Sequence, residues 1–131
     1  MGDLTPESLE NVYSQKEFFI VLNRARAQAD RNGNCFALAT FEVGVRVGRS
    51  LELTDLVRLL SKRIRATDAI GWFDEKQLGV YLFDSNARDA QSFCEEIQGQ
   101  IDENLPNRVY VYPYYYKQNL SQDEAVGGYR S

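Results

Sequence analysis

Between Arg65 and Asp84 the sequence runs RATDAIGWFDEKQLGVYLFD, with apolar residues at every second position on both sides of a polar triplet. Ile70 and Trp72 precede Asp74-Glu75-Lys76, and Leu78, Val80 and Leu82 follow it. Period two on either side of a tight polar turn defines a β-hairpin. Helical periods flank it: Leu53, Leu56, Val57, Leu60 and Ile64 before, and Ala87, Ala90, Phe93, Cys94, Ile97 and Ile101 after, spaced three and four apart. A hairpin between two amphipathic helices is the middle of a βαββαβ unit. Its tip falls at an edge of the sheet, where loops carry chemistry.

The outer strands of that unit are legible. Cys35 to Val43, CFALATFEV, is almost wholly apolar without helical period, which predicts a central strand covered on both faces. Arg108 to Lys117, RVYVYPYYYK, is β-branched and aromatic, and Pro113 cannot donate to a ladder, so an edge or bulged strand is expected. Ahead of the unit, Ser14 and Glu17 form a capping box before Phe18, Val21, Leu22, Ala25 and Ala29, and Asn32-Gly33-Asn34 ends that helix. Ser50 or Thr54 is expected to cap the second helix, Asp84-Ser85-Asn86 the third, and Asn104 to Asn107, with Pro106, to end the third. Residues 1–12 read as a flexible leader, 13–117 as the domain, and 118–131 as a polar, partly disordered tail.

Composition narrows function. The 131 residues fit one domain, the helical segments are too interrupted by charge to span a membrane, and the N-terminus has no secretion signal, so a cytoplasmic protein is expected. A net charge of −4 argues against nucleic-acid binding, although Arg46, Arg49, Arg58, Lys62, Arg63 and Arg65 gather basic charge locally. The absence of histidine excludes His-based triads and His-containing zinc sites. Cys35 and Cys94 stand apart in apolar runs and are expected to be buried, reduced thiols.

The central stretch resembles the GGDEF family of diguanylate cyclases, in which a helix ends in RxxD, five residues follow, and a five-letter signature forms a hairpin turn. Here Arg65-Ala-Thr-Asp68 matches RxxD, Ala69 to Phe73 follow, and Asp74-Glu75-Lys76-Gln77-Leu78 stands where the signature belongs. Asn23-Arg24 is similar to the family's helical NR pair, and the likeness extends from Tyr13 to Tyr116. It implies an α/β (α+β) fold: a ferredoxin-like βαββαβ sheet of the nucleotide-cyclase type with an extra N-terminal helix, packed by its helices on one face. It also implies a place in bacterial cyclic-dinucleotide signalling.

The same resemblance argues against synthesis. The family condenses two GTP molecules using divalent metal held by oxygen ligands on the first strand and at the hairpin tip, and such chemistry rests on preorganised charge. Lys76 stands at the tip ligand position and Gln77 at the next acidic one, while Asp74 and Glu75 replace the two glycines. Glu42 and Gly44 occupy the acidic positions of the first strand, and Gly44 to Ser50 replaces a longer segment carrying the guanine-recognising Asn. A catalytically inactive regulatory domain, with no cofactor and no metal, is expected.

Two partner classes stay open. In the family the RxxD pair is a product-inhibition site, so Arg65 and Asp68 are the candidate contacts for cyclic di-GMP, the planar guanidinium suiting phosphate and guanine edges. Glu96 replaces a second arginine of that site, and the plain alternative is that Arg65 and Asp68 only terminate the helix. The other class is a docking or dimerisation module for a protein partner or fused domain, with Tyr110, Tyr112, Tyr114 and Tyr116 as its surface; nucleobase stacking on Tyr110 to Tyr116 fits less well, for want of companion motifs. Asp74 and Glu75 read as a solvated turn rather than an acid/base pair. The run Gly44 to Ser50, with Arg49, reads as a strand-to-helix loop rather than a phosphate cradle.

Overall fold

The computed structural model describes residues 11–44 and 52–113. Its elements are α1 (Gln15–Asn32), β1 (Phe36–Glu42), α2 (Leu53–Arg63), β2 (Ala69–Trp72), β3 (Gln77–Phe83), α3 (Ala87–Gln98) and β4 (Asn107–Tyr112). The strands form one antiparallel sheet in the order β2-β3-β1-β4. This is the expected βαββαβ arrangement after an N-terminal helix, with β4 on an edge.

Register divides the side chains between two faces, because successive residues of a strand point oppositely. Ala37, Ala39 and Phe41 of β1 stand beside Leu82, Val80 and Leu78 of β3, and this face packs against Leu56, Val57 and Leu60 of α2 and Ala90, Phe93, Cys94 and Ile97 of α3 in the main core. Phe36 belongs to the other face, where it meets Ala25 and Ala29 of α1 with Tyr81 and Tyr112. Helices therefore lie on both faces, not on one as expected, because α1 carries an apolar stripe of its own that must also be buried. Gly71 of β2 and Gly79 of β3 are register partners, and the Phe18 ring fills the space above them. A Cβ on Gly71 would lie 2.7 Å from that of Phe18, and one on Gly79 would lie 2.8 Å from Phe18 Cε2.

The predicted starts and stops hold with two exceptions. The Ser14 hydroxyl accepts from the Glu17 amide at 3.1 Å and Glu17 returns the bond at 3.0 Å, while Gly33 takes φ 75° and its amide bonds to the Ala29 carbonyl. Asn86 and Asp89 form a second capping box at α3. At α2, however, Glu52 occupies the cap position without a side-chain bond and Thr54 lies inside the helix, whose first turn is supported by an Asp55–Arg58 pair; Ser50 is outside the described residues. α3 also stops early, at Gln98, with Gly99 as its cap, so Ile101 reaches the core from the following turn. Gln98 holds that turn, donating to the Glu103 carbonyl and accepting from the Leu105 amide at 3.0 Å. Val12, at the end of the segment read as a leader, is buried in the main core, and Tyr13 bridges to Gly71.

Candidate functional site

The hairpin tip is built by Asp74. Its Oδ1 accepts from the Lys76 and Gln77 amides, each at 2.8 Å, and its Oδ2 accepts from Gln77 Nε2 at 2.8 Å. An aspartate that hydrogen-bonds the backbone two and three residues on is itself the turn, so half-buried Asp74 builds the expected turn with its own carboxylate, while Glu75 is exposed. The tip is fastened to the end of β1, where the amides of Val43 and Gly44 both donate to the Lys76 carbonyl, at 2.8 and 3.0 Å. The stem of Lys76 lies across Gly44 so closely that a Cβ there would fall 2.6 Å from Lys76 Cγ. Leu78, the last residue of the signature region, is fully buried in β3.

A divalent cation in this cleft would need oxygen ligands from both sides. The described residues do not fit one: they hold no cluster of three metal-ligating side chains, Glu42 is the one described carboxylate at the end of β1, Glu75 is exposed at the tip, the Gln77 amide is turned to Asp74, Asp74 is spent on the turn, and Lys76 brings an ammonium.

Arg65 and Asp68 lie beyond the C-terminus of α2, which ends at Arg63. The Asp68 side chain is 2% exposed; it accepts from the Arg65 amide at 2.9 Å, the Phe83 amide at 3.0 Å and Arg65 Nε at 3.1 Å. Arg65 Nη2 reaches past it to Asp68 Oδ1 at 3.2 Å, the Phe83 carbonyl at 2.7 Å and Ser85 Oγ at 3.2 Å. The pair is thus a latch that ties the α2–β2 connection to the far end of β3. The Arg65 side chain remains 56% exposed. Glu96, at the position of the resembled second arginine, is ion-paired with Arg63 and joins α3 to α2.

The structure does not bring the latch and the tip together: one sits at Phe83 and the other before Gln77, a separation of about 20 Å along β3. Tyr110 and Tyr112 share the α1 face, being the partners of Leu38 and Phe36. Tyr110 stacks on Phe73 at 6.1 Å, and Tyr112 stacks on Phe36 at 5.4 Å and donates its hydroxyl to Asp30 at 2.7 Å. Tyr114, Tyr115 and Tyr116 lie outside the described residues, as do Arg46 and Arg49. Beside Tyr110 and Tyr112 runs a groove of about 770 Å³, walled by Phe19, Leu22 and Arg26 of α1 and floored by Leu38. Phe19 is 61% exposed and Ile20 45%. The run FFIVL, wider than one helical stripe, was the signal for it in the sequence.

The two thiols differ. Burial, reinforced by Glu95, pushes Cys94 up to about 12. Cys35 is only half-buried, its thiol raised by burial and then by Asp84 and Asp89, and it donates to the Ser85 carbonyl at 3.5 Å. Both are free.

No protein-family model matches this chain, and no curated protein matches its sequence. Solved structures do match its fold. A DGC protein from Thermotoga maritima superposes with a TM-score of 0.69 at 17% identity, over 80% of this chain and 85% of that one. The GGDEF domain of DgcB from Caulobacter crescentus, in complex with c-di-GMP, gives 0.62 at 15% identity over 85% and 76%. The diguanylate cyclase SiaD from Pseudomonas aeruginosa, in complex with its activator SiaC, gives 0.60 at 16% identity over 79% and 47%. The chain has the α+β fold of GGDEF domains, the fold found in c-di-GMP signalling proteins. Among the described residues no helix is long and apolar enough to cross a membrane.

Proposed function

We propose that this chain is a regulatory GGDEF-fold domain that makes no cyclic di-GMP and acts by docking a protein partner in cyclic-dinucleotide signalling. The observation that carries the first half is the tip. Lys76 closes on Gly44 where metal and triphosphate would have to enter, and a carboxylate spent on the turn stands where glycines would admit phosphate. The second half draws on the groove beside α1, whose floor and wall include two of the four tyrosines read as a docking surface. SiaD, a diguanylate cyclase of which this fold spans 47%, forms a complex with an activator protein, a precedent for a protein partner on a protein that carries this fold.

A second reading, cyclic di-GMP reception through Arg65 and Asp68, draws on the exposure of the Arg65 side chain and on the ligand in the Caulobacter complex. It requires Arg65 to leave Asp68 and the Phe83 carbonyl, and it meets Glu96 already paired with Arg63. Calorimetric titration separates the two. Docking predicts no heat with cyclic di-GMP for the parent chain or for Glu96→Arg. Saturable heat that Arg65→Ala removes would establish the receptor instead.

A further inference from the structure

One helix with its side chains is about 10 Å across and neighbouring strands are about 4.8 Å apart, so a helix roofs about two strands. Four strands therefore take two helices on each covered face. On the main-core face α2 and α3 supply both. On the other face α1 is the one described helix, with Phe18 seated over β2 and β3. The groove lies over β1 and β4, where a second helix of that layer would sit.

Its charge says what kind of helix. Lys16 and Arg26 both line the groove, and among the described residues no carboxylate does. Neither cation forms an ion pair among the described residues. They stand ten residues apart, about 15 Å along α1, beside an apolar lining, in a chain whose net charge is −4.

We propose that this groove receives an amphipathic helix of a partner protein, about three turns long, apolar on its seated face and acidic at both ends. The inference rests on the reading of the domain as a docking module and adds the chemistry of what docks. A second copy is disfavoured. The two most exposed large apolar residues it would offer among those described, Phe19 and Ile20, ride on α1, whose four cations (Lys16, Arg24, Arg26 and Arg31) outnumber its two carboxylates, Glu17 and Asp30. Two such helices would repel.

The test uses the 131-residue chain and a fluorescein-labelled synthetic helix of about 14 residues with leucines on one face and glutamates at both ends. A twin carries lysines in place of the glutamates. Fluorescence anisotropy should show the glutamate peptide binding about tenfold more tightly than its twin, with the order reversed in Lys16→Glu/Arg26→Glu; Phe19→Asp should weaken both. Lys16, Phe19 and Arg26 are exposed, so these variants should melt with the parent. Equal binding of the two peptides, or an order unchanged by the double variant, overturns the acidic partner while leaving docking intact. No binding of either overturns the helix. A parent dimer that Phe19→Asp dissociates assigns the groove to a second copy, and a lowered melting temperature for Phe19→Asp assigns it to another part of this chain.

Discussion

Replacing Asp68 by alanine should unfold this domain more readily than replacing Arg65, although the two are partners. Asp68 is almost wholly buried and accepts two backbone amides, those of Arg65 and Phe83, besides the guanidinium. A hydrogen bond to a charged acceptor is worth about 1.5–3 kcal/mol, and amides left without an acceptor keep their desolvation cost. The two amide bonds alone, even at the lower of those figures, therefore amount to about 3 kcal/mol. The guanidinium contact adds little, because Arg65 is half in water, where such pairs contribute about 0–1 kcal/mol. Asp68→Ala should thus cost about 3–4 kcal/mol, Asp68→Asn about half of that because one carbonyl oxygen survives, and Arg65→Ala about 1 kcal/mol. Urea denaturation followed by circular dichroism reads all three. A domain stable by about 5–15 kcal/mol would lose a large fraction of its margin in the first variant. If Asp68→Ala lies within about 0.5 kcal/mol of the parent, or Arg65→Ala costs as much as Asp68→Ala, the latch is not the structural device described.

Other outcomes follow from the core. Cys94 should resist a thiol reagent until denaturant is added, whereas half-buried Cys35 should react first; fast labelling of Cys94 in the native protein would contradict its burial. Since Cys94 keeps its proton to about 12 when folded but loses it near 9 when unfolded, its share of stability is fully present below pH 9 and falls as pH rises toward 12, a slope that Cys94→Ala should flatten in urea titrations across that window. Gly71→Ala should cost about 1–3 kcal/mol through collision with Phe18, and pairing it with Phe18→Ala should recover part of that loss; additive costs in the double-mutant cycle would mean the ring is not what excludes the methyl.

Much of this was legible in the sequence because the signals were local. Period two around Asp74-Glu75-Lys76 and the Ser14–Glu17 capping box each depend on residues within a few positions, and each is present in the fold. The relation of α1 to the sheet is not local. Its Phe18 sits on two glycines, Gly71 and Gly79, more than fifty positions away, and nothing in the pattern of α1 said which face it would take. The site divides the same way. The spacing from Arg65 to Asp68 announced a pair, but its third partner, the backbone of Phe83, becomes visible only when β3 returns alongside β2. The turn at Asp74 was legible, but not the bonds of its carboxylate to its own backbone, because a turn carboxylate can face solvent or backbone and the choice depends on torsions that composition does not encode.

Whether the hairpin tip can support synthesis is decided by a single assay. Incubating the purified chain with GTP and magnesium, and separately manganese, and resolving the products by chromatography should yield no cyclic di-GMP above a protein-free control, because Lys76 lies across Gly44 and, among the described residues, no cluster of three carboxylates or other metal-ligating side chains is present. Cyclic di-GMP that rises with protein concentration and disappears on omission of the metal would contradict it.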